Sequence, residues 1–411
     1  MLIVLAAACQ PGILRPPVDG FDAPDPHILR VGGTYYLFTT RDATHNIPVR
    51  TSSDLTHWSA PGDALPHLPE WADVRDTWAP AAIEVNGQYI LWYAALLGTN
   101  HCIDRAVSAN PGGPYVPSGD QPFLCETDAS TEVIDPYPFR APDGSLYVYW
   151  GDNSAPRRIM GVALDPTGLT MAGEPRELTH SVGAWEGVQN ENPAMIATGS
   201  DGAPGAPFQL FFSANAWSSP NYATGYLDCA SPLGPCTKAT APFLVSKATV
   251  KGPGGLSFFT TISGETWAAY HAWDGPVGYE NGGARTLHVE PFQVVKGDPT
   301  FPDRPPIAFI NDMIPGRGNI TVNGWGFDPD SPSYRTITVR DFVTGGATVT
   351  ATANINRPDV VAALPQALTA ERGFTALLPA ARGVHTVCVA VDKDLTGELL
   401  WFSCQKVTVV D

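Results

Sequence analysis

Five times in the first three hundred residues a glycine-centred turn runs into a short strand that mixes aromatic and aliphatic side chains. The copies are Gly33-Thr-Tyr-Tyr-Leu-Phe, Gly87-Gln-Tyr-Ile-Leu-Trp-Tyr, Gly144-Ser-Leu-Tyr-Val-Tyr-Trp, Gly205-Ala-Pro-Phe-Gln-Leu-Phe-Phe and Gly264-Glu-Thr-Trp-Ala-Ala-Tyr. Their glycines stand 54, 57, 61 and 59 residues apart. Strands so rich in large apolar residues suit the interior of stacked sheets, covered on both faces. A period near 60 residues suits one four-stranded blade per repeat. Five repeats over residues 20–300 predict a five-bladed β-propeller; the competing arrangement is an irregular β-sandwich.

The pattern then changes. Residues 297–306 (Gly-Asp-Pro-Thr-Phe-Pro-Asp-Arg-Pro-Pro) have the composition of a linker. Beyond it, Asn319–Trp325, Thr336–Arg340, His385–Val391 and Gln405–Val410 alternate apolar and polar positions. Short alternating strands over 307–411 predict a small C-terminal β-sandwich. The predicted class is therefore all-β throughout, with residues 1–19 a leader and linker.

Composition supports this and narrows the partners. The chain has 411 residues, 40 Gly and 40 Pro, and only 16% are charged, so turns are many and long solvated helices few. Net charge is −17, with no basic cluster. Nucleic acid and anionic membrane surfaces are poor partners for such a chain; a neutral polar ligand such as sugar suits it better. Of seven cysteines, Cys102 and Cys125, Cys229 and Cys236, and Cys388 and Cys404 form sequence-local couples. Local couples read as staples formed in an oxidising compartment, although spacing alone leaves connectivity open. Cys9 is left over. It ends the run Met1-Leu-Ile-Val-Leu-Ala-Ala-Ala, which is like the tail of a bacterial lipoprotein signal. Export, an extracellular or envelope-attached location and a candidate lipid anchor at Cys9 are the expectations. The run is too short to span a bilayer, and no other spanning segment is present.

Candidate chemistry lies at the repeat starts. Asp25-Pro26 opens the first, Asp135-Pro136 the third and Glu191-Asn-Pro193 the fourth. One Asp-Pro is usually a turn; Asp165-Pro166, Asp298-Pro299 and Asp328-Pro329 read that way. Three acids at equivalent positions of converging strands would instead share one cavity. Their mutual repulsion would leave one ionised and hold a proton on another. Glycoside hydrolysis needs such a split pair.

These segments resemble glycoside hydrolase family 43. The matching motifs are Asp25-Pro26 before Tyr35-Tyr-Leu-Phe, Thr77-Trp-Ala-Pro80, Ile134-Asp-Pro136 before Asp143-Gly144, Glu191-x-Pro193, Tyr270-His-Ala-Trp273 and Arg285-Thr-Leu. The resemblance implies a five-bladed propeller hydrolysing arabinofuranosides or xylosides of oligo- or polysaccharides with inversion. It assigns Asp25 as general base, Glu191 as general acid and Asp135 as the third acid, which tunes and orients Glu191. Glu186, in Ala-Trp-Glu-Gly, is the alternative acid. This chain departs from the family in having Glu-Asn-Pro where Glu-Gly-Pro is commoner. Arg285 and Trp78 are implied sugar contacts. His271 is implied near the propeller centre, as a sugar-side residue or beside a calcium ion; the chemistry itself needs no cofactor. Residues 41–76 and 273–284 are the expected rim. The alternatives are a glycan-binding propeller without catalysis and a retaining propeller acting on fructosides.

Overall fold

The computed structural model describes residues 17–73, 76–126, 131–199, 206–247, 250–364, 367–392 and 399–410. Cys9 with the apolar run around it, and Gly205 at the head of the fourth copy, lie outside the described residues. The chain divides into two compact units. One holds nearly all residues up to Phe301; the other holds Pro302–Asp411 with the short segments Ser53–Thr56 and Thr261–Glu265.

The first unit is a succession of antiparallel sheets in which each strand pairs with the next along the chain. The first strands are His27–Val31, Thr77–Val85, Val133–Arg140, Asn190–Ala197 and Val250–Thr260. The aromatic runs of the repeat form the second strands: Thr34–Phe38, Gln88–Leu97, Leu146–Asp152, Phe208–Ala214 and Thr266–Asp274. Their central residues are buried on both faces, as the mixed patterning requires. The first strands touch in order, and the fifth touches the first, so the five sheets close a cycle. Aromatic and aliphatic side chains of neighbouring sheets fill the spaces between them, for example Phe211, Phe258 and Phe292.

The fifth sheet has three strands of its own, ending in Arg285–Pro291. Its open edge is met by the chain's start. Val18 N–H donates to Leu287 O, Ala23 N–H donates to Arg285 O, and Asp22 bridges Thr286. Covering an edge in this way satisfies its backbone groups. It also brings Asp25 beside Arg285.

The strand entries share one backbone feature. Asp25, Ala79, Asp135, Asn192 and Gly252 each precede a proline and each have φ between 43° and 58°. Four of these are non-glycine residues in the left-handed region, and the position before proline is itself restricted. The ladder shifts register at this entry in the second, third, fourth and fifth sheets. Pro26, Pro80, Pro136 and Pro193 line a narrow void of about 20 Å³.

Residues 297–306 are not wholly a linker. Asp298–Thr300 pairs with Gln293–Val295 in a short hairpin, with Pro299 opposite Val294. The three expected cysteine couples are all bonded. In the second unit, all four predicted strands form. One sheet runs Ile307–Gly316, Asn319–Phe327, Glu371–Pro379, Ile355–Asn356 and the other Thr348–Thr352, Thr336–Asp341, Gly383–Asp392, Leu399–Val409. Ile310, Val322 and Phe374 from the first sheet and Val339, Val387 and Val389 from the second share one core. Among the described residues, no helix is long and apolar enough to cross a membrane.

Candidate active site

The left-handed entries of the first and third sheets turn Asp25 and Asp135 toward one cavity of about 730 Å³, which Glu191 also lines. Glu191 reaches it differently. It precedes Asn192, and it is Asn192, at φ 51°, that occupies the place held by Asp25 and Asp135 in their own sheets. The three acids are therefore neighbours in space, but only two stand at equivalent positions.

Each acid has its own surroundings. Thr40 Oγ1 donates to Asp25 Oδ2 at 2.6 Å, and Asn192 Nδ2 donates to Oδ1 at 3.4 Å. The Arg285 guanidinium stands 3.7 Å from Oδ1. Burial would raise the Asp25 carboxyl, but Arg285 and these hydrogen bonds outweigh it and hold it below its ordinary value. Asp135 accepts the Asn192 N–H at 3.0 Å. Burial, then the nearby charges of Glu191 and Asp25, push it well above the usual carboxylate range. Glu191 is 4% exposed. Tyr222 O–H donates to its Oε1 at 2.8 Å, and Gln189 Nε2 donates to Oε2. Burial and the Asp25 charge keep Glu191 raised despite those donors. The site thus sets Asp25, favoured as the carboxylate, beside a buried pair, Asp135 and Glu191, in which the protonated form is favoured.

Glu186 is elsewhere. It ends the short 3-10 turn Ala184–Glu186, is 1% exposed, and pairs with Lys238 Nζ at 2.8 Å. It does not line the cavity of Asp25. The geometry therefore separates the two candidate acids, and Glu191 is the one beside Asp25.

Arg285 N–H donates to Asp22 Oδ1 at 2.7 Å, and its Nε donates to Tyr279 Oη at 3.0 Å. Its guanidinium lies 4.8 Å from the centre of the Trp217 ring. Trp78 also lines the cavity, half-buried, stacked on His101 at 3.6 Å, with Nε1 donating to Asp76 at 2.9 Å. It is thus neither core nor loose rim but a braced aromatic face.

His271 is fully buried. Asp25 N–H donates into its Nδ1 at 3.0 Å, so Nδ1 offers its lone pair and the ring proton sits on Nε2. Burial and Arg285 lower its pKa to about 3, so it is neutral. Nε2 has no partner among the described residues. A metal ion on His271 would need the Nε2 lone pair, which this arrangement uses for the proton. Among the described residues, no group of three or more His, Cys, Asp or Glu side chains could hold a metal ion. The set does not fit a directly ligated cation.

The family model for glycosyl hydrolases family 43 matches residues 14–299, well over half of the chain. The chain belongs to this family. It is a glycosidase. Over 263 residues it is 24% identical to the β-D-galactofuranosidase xynD of Aspergillus niger, covering 60% of this chain and 73% of that one. Over 184 residues it is 32% identical to an extracellular endo-α-(1→5)-L-arabinanase of Thermotoga petrophila, covering 36% of this chain and 38% of that one. The family-43 chain thus spans about three quarters of the first relative and little more than a third of the second. Among solved structures, it resembles a thermostable family-43 glycoside hydrolase with TM-score 0.62 and 26% identity, covering 71% of this chain and 96% of that one. An α-L-arabinofuranosidase from Lactobacillus brevis, at TM-score 0.58 and 24% identity over 71% and 97%, shares the fold.

Several residues of this family-43 site escape a reading of the sequence. Tyr222, Gln189 and Asn192 contact the acids, and Trp217 and Tyr279 flank Arg285. Three of them carried a signal: Asn192 as the departure from Glu-Gly-Pro, Tyr279 as a member of the expected rim, and Trp217 as a lone aromatic in the polar turn-rich segment Ala214-Asn-Ala-Trp-Ser-Ser-Pro. Trp217 is 39% exposed, on a loop outside both rim segments expected. Of those segments, Arg41, Asp42, Ala43 and Tyr279 do line the cavity.

Proposed function

We propose that the five sheets are the blades of a β-propeller. In this reading the unit is an exported glycosidase that releases arabinofuranosyl or xylosyl residues from plant-type polysaccharides with inversion. The second unit is read as an accessory β-sandwich. The observation that carries the mechanism is an asymmetry across one cavity: Arg285 holds Asp25 toward its ionised form, while burial favours the protonated form of Glu191.

Asp25 takes a proton from a water as that water attacks the anomeric carbon. Glu191 gives its proton to the departing glycosidic oxygen. The two steps coincide at an oxocarbenium-like transition state, and the product anomer is opposite to the substrate. Asp135, the third acid, holds the Asn192 backbone next to Glu191. Arg285 keeps Asp25 ionised. Trp78 and Trp217, which both line the cavity, supply flat apolar surfaces for sugar faces. The substrate classes named for the arabinanase and arabinofuranosidase relatives support the pentose reading. The chemistry needs no cofactor.

The test is sugar release from arabinan, arabinoxylan and xylan, with the anomer followed by proton NMR. Wild type is expected to release pentose as the inverted anomer, and Glu191→Ala to lose at least a thousandfold in kcat on polymer. The loss should be much smaller on an aryl glycoside with a good leaving group, which needs no acid. Retention of the anomer would overturn the mechanism. Glycan binding without turnover would favour a non-catalytic propeller.

A further inference from the structure

We propose that Asn192 is a positioning residue whose carboxamide ties the base Asp25 to the acid Glu191 through Tyr222. The inference rests on the acid and base assignment above and extends it to a residue with no chemistry of its own.

The geometry is specific. Asn192 stands at the left-handed, pre-proline entry that presents Asp25 and Asp135 from their sheets. Its backbone N–H donates to Asp135 Oδ2 at 3.0 Å. One side-chain hydrogen goes to Asp25 Oδ1 at 3.4 Å and the other to Tyr222 Oη at 3.3 Å. Because Tyr222 oxygen accepts from Asn192, its own hydroxyl hydrogen is directed at Glu191 Oε1, 2.8 Å away. One residue thus touches two carboxyls directly and the third through one hydroxyl.

The residue type follows from these contacts. Glycine would take φ 51° with less strain, but it has no donor to offer. Aspartate has the same shape and tolerates the left-handed region. It would, however, replace two donors by acceptors and add a fifth acid to the group formed by Asp22, Asp25, Asp135 and Glu191. Asparagine alone is short, neutral and doubly donating here. The departure from Glu-Gly-Pro is therefore a functional substitution: a locally unfavourable backbone is kept for its side chain.

The test uses Asn192→Gly, which preserves the backbone donor to Asp135, with Tyr222→Phe and the double variant. Asn192→Gly should lower kcat about ten- to a hundredfold, as for a lost hydrogen bond to a charged group, with KM within twofold. Its thermal midpoint should be unchanged or higher. Because the two residues act along one path, the double variant should be no worse than the poorer single. Asn192→Asp should be slower than Asn192→Gly. An unchanged kcat in Asn192→Gly, a rise in KM alone, or losses that multiply in the double variant would each overturn the proposal. Asp25→Asn and Glu191→Gln measured alongside identify a failure of the acid and base assignment: activity surviving in either indicts that reading instead. A readout free of turnover is the carboxyl ¹³C resonance of Asp25 at fixed neutral pH. It should move in Asn192→Gly while that of Asp143, a distant exposed carboxylate, stays; a stationary Asp25 resonance would overturn the contact itself.

Discussion

Glu186 and Glu191 are five residues apart, both buried, and opposite in what they do. Glu186 is matched by Lys238, with Val182 N–H donating as well. Removing one partner of a buried ion pair leaves an uncompensated charge. Glu186→Ala is therefore expected to destabilise the chain by about 3 kcal/mol in denaturant melts, while the residual folded enzyme stays active. Glu191 has hydrogen-bond donors but no cation at contact distance among the described residues, and burial raises its pKa. A carboxyl raised in the folded state stabilises fully below its unfolded pKa and loses that contribution as pH rises through the folded value. Glu191→Gln should then melt higher than wild type at pH 8. The advantage should fade as pH falls toward 4.5, the ordinary glutamate value. An equal gain at both pH values would contradict the assignment of the shift to Glu191.

The first strand of the fifth sheet carries no acid, and its composition shows why. Lys251-Gly-Pro-Gly-Gly-Leu packs three glycines where the other sheets have larger residues. A Cβ on Gly254 would stand 2.1 Å from Tyr222 Cε1, and one on Gly255 would stand 2.7 Å from His271 Nδ1. This strand gives up its own side chains so that two rings can reach the acids from behind; Tyr222 and His271 lie parallel, at 5° and 6.0 Å. Gly254→Ala should displace Tyr222, costing about 1–3 kcal/mol of stability by overpacking and most of kcat. Gly33→Ala, whose Cβ meets nothing within 4 Å, is the matched control and should be neutral by both measures. Legibility differed between such elements. The aromatic second strands were plain in the sequence, because burial on both faces demands an apolar residue at nearly every position. The strand entries were half legible: Asp-Pro marks a special backbone and Glu191-Asn-Pro193 spells the one-residue offset of its acid, but that the offset acid still lines the cavity of Asp25 shows only in the fold.

The two units respond to pH through different histidines. His27 is buried in the first, with Nε2 on Ala82 O at 2.9 Å; burial lowers its pKa to about 4. A histidine kept neutral stabilises above its unfolded value near 6.5, and that contribution is lost as pH falls toward 4. His385, in the second unit, holds Asp341 Oδ2 at 2.6 Å, and that hydrogen bond raises its pKa. Its contribution is complete below 6.5 and is lost as pH rises through the folded value. Calorimetry of the full chain, wild type against His27→Gln and His385→Gln, should give stability differences of opposite slope. The first difference should shrink below pH 6.5 and the second above it. Parallel slopes would mean that the two rings are not held as described.

The amino-acid order alone determined the all-β class, the five-fold repeat, the strands of the tail and the cysteine couples. Each depends on patterns local in the chain: alternation, turn residues and short separations. It also marked Asp25, Asp135, Glu191 and Arg285, because their motifs are contiguous. Folding separated Glu191 from Glu186, since only packing shows which carboxylate meets a lysine and which lines the cavity of Asp25. It likewise decided the tautomer of His271, set by a backbone N–H 246 residues away. The partners Tyr222, Trp217 and Asn192 were decided there too. Their roles arise from closure of the cycle, which brings distant strand entries within hydrogen-bond reach, and closure is a property of no single segment.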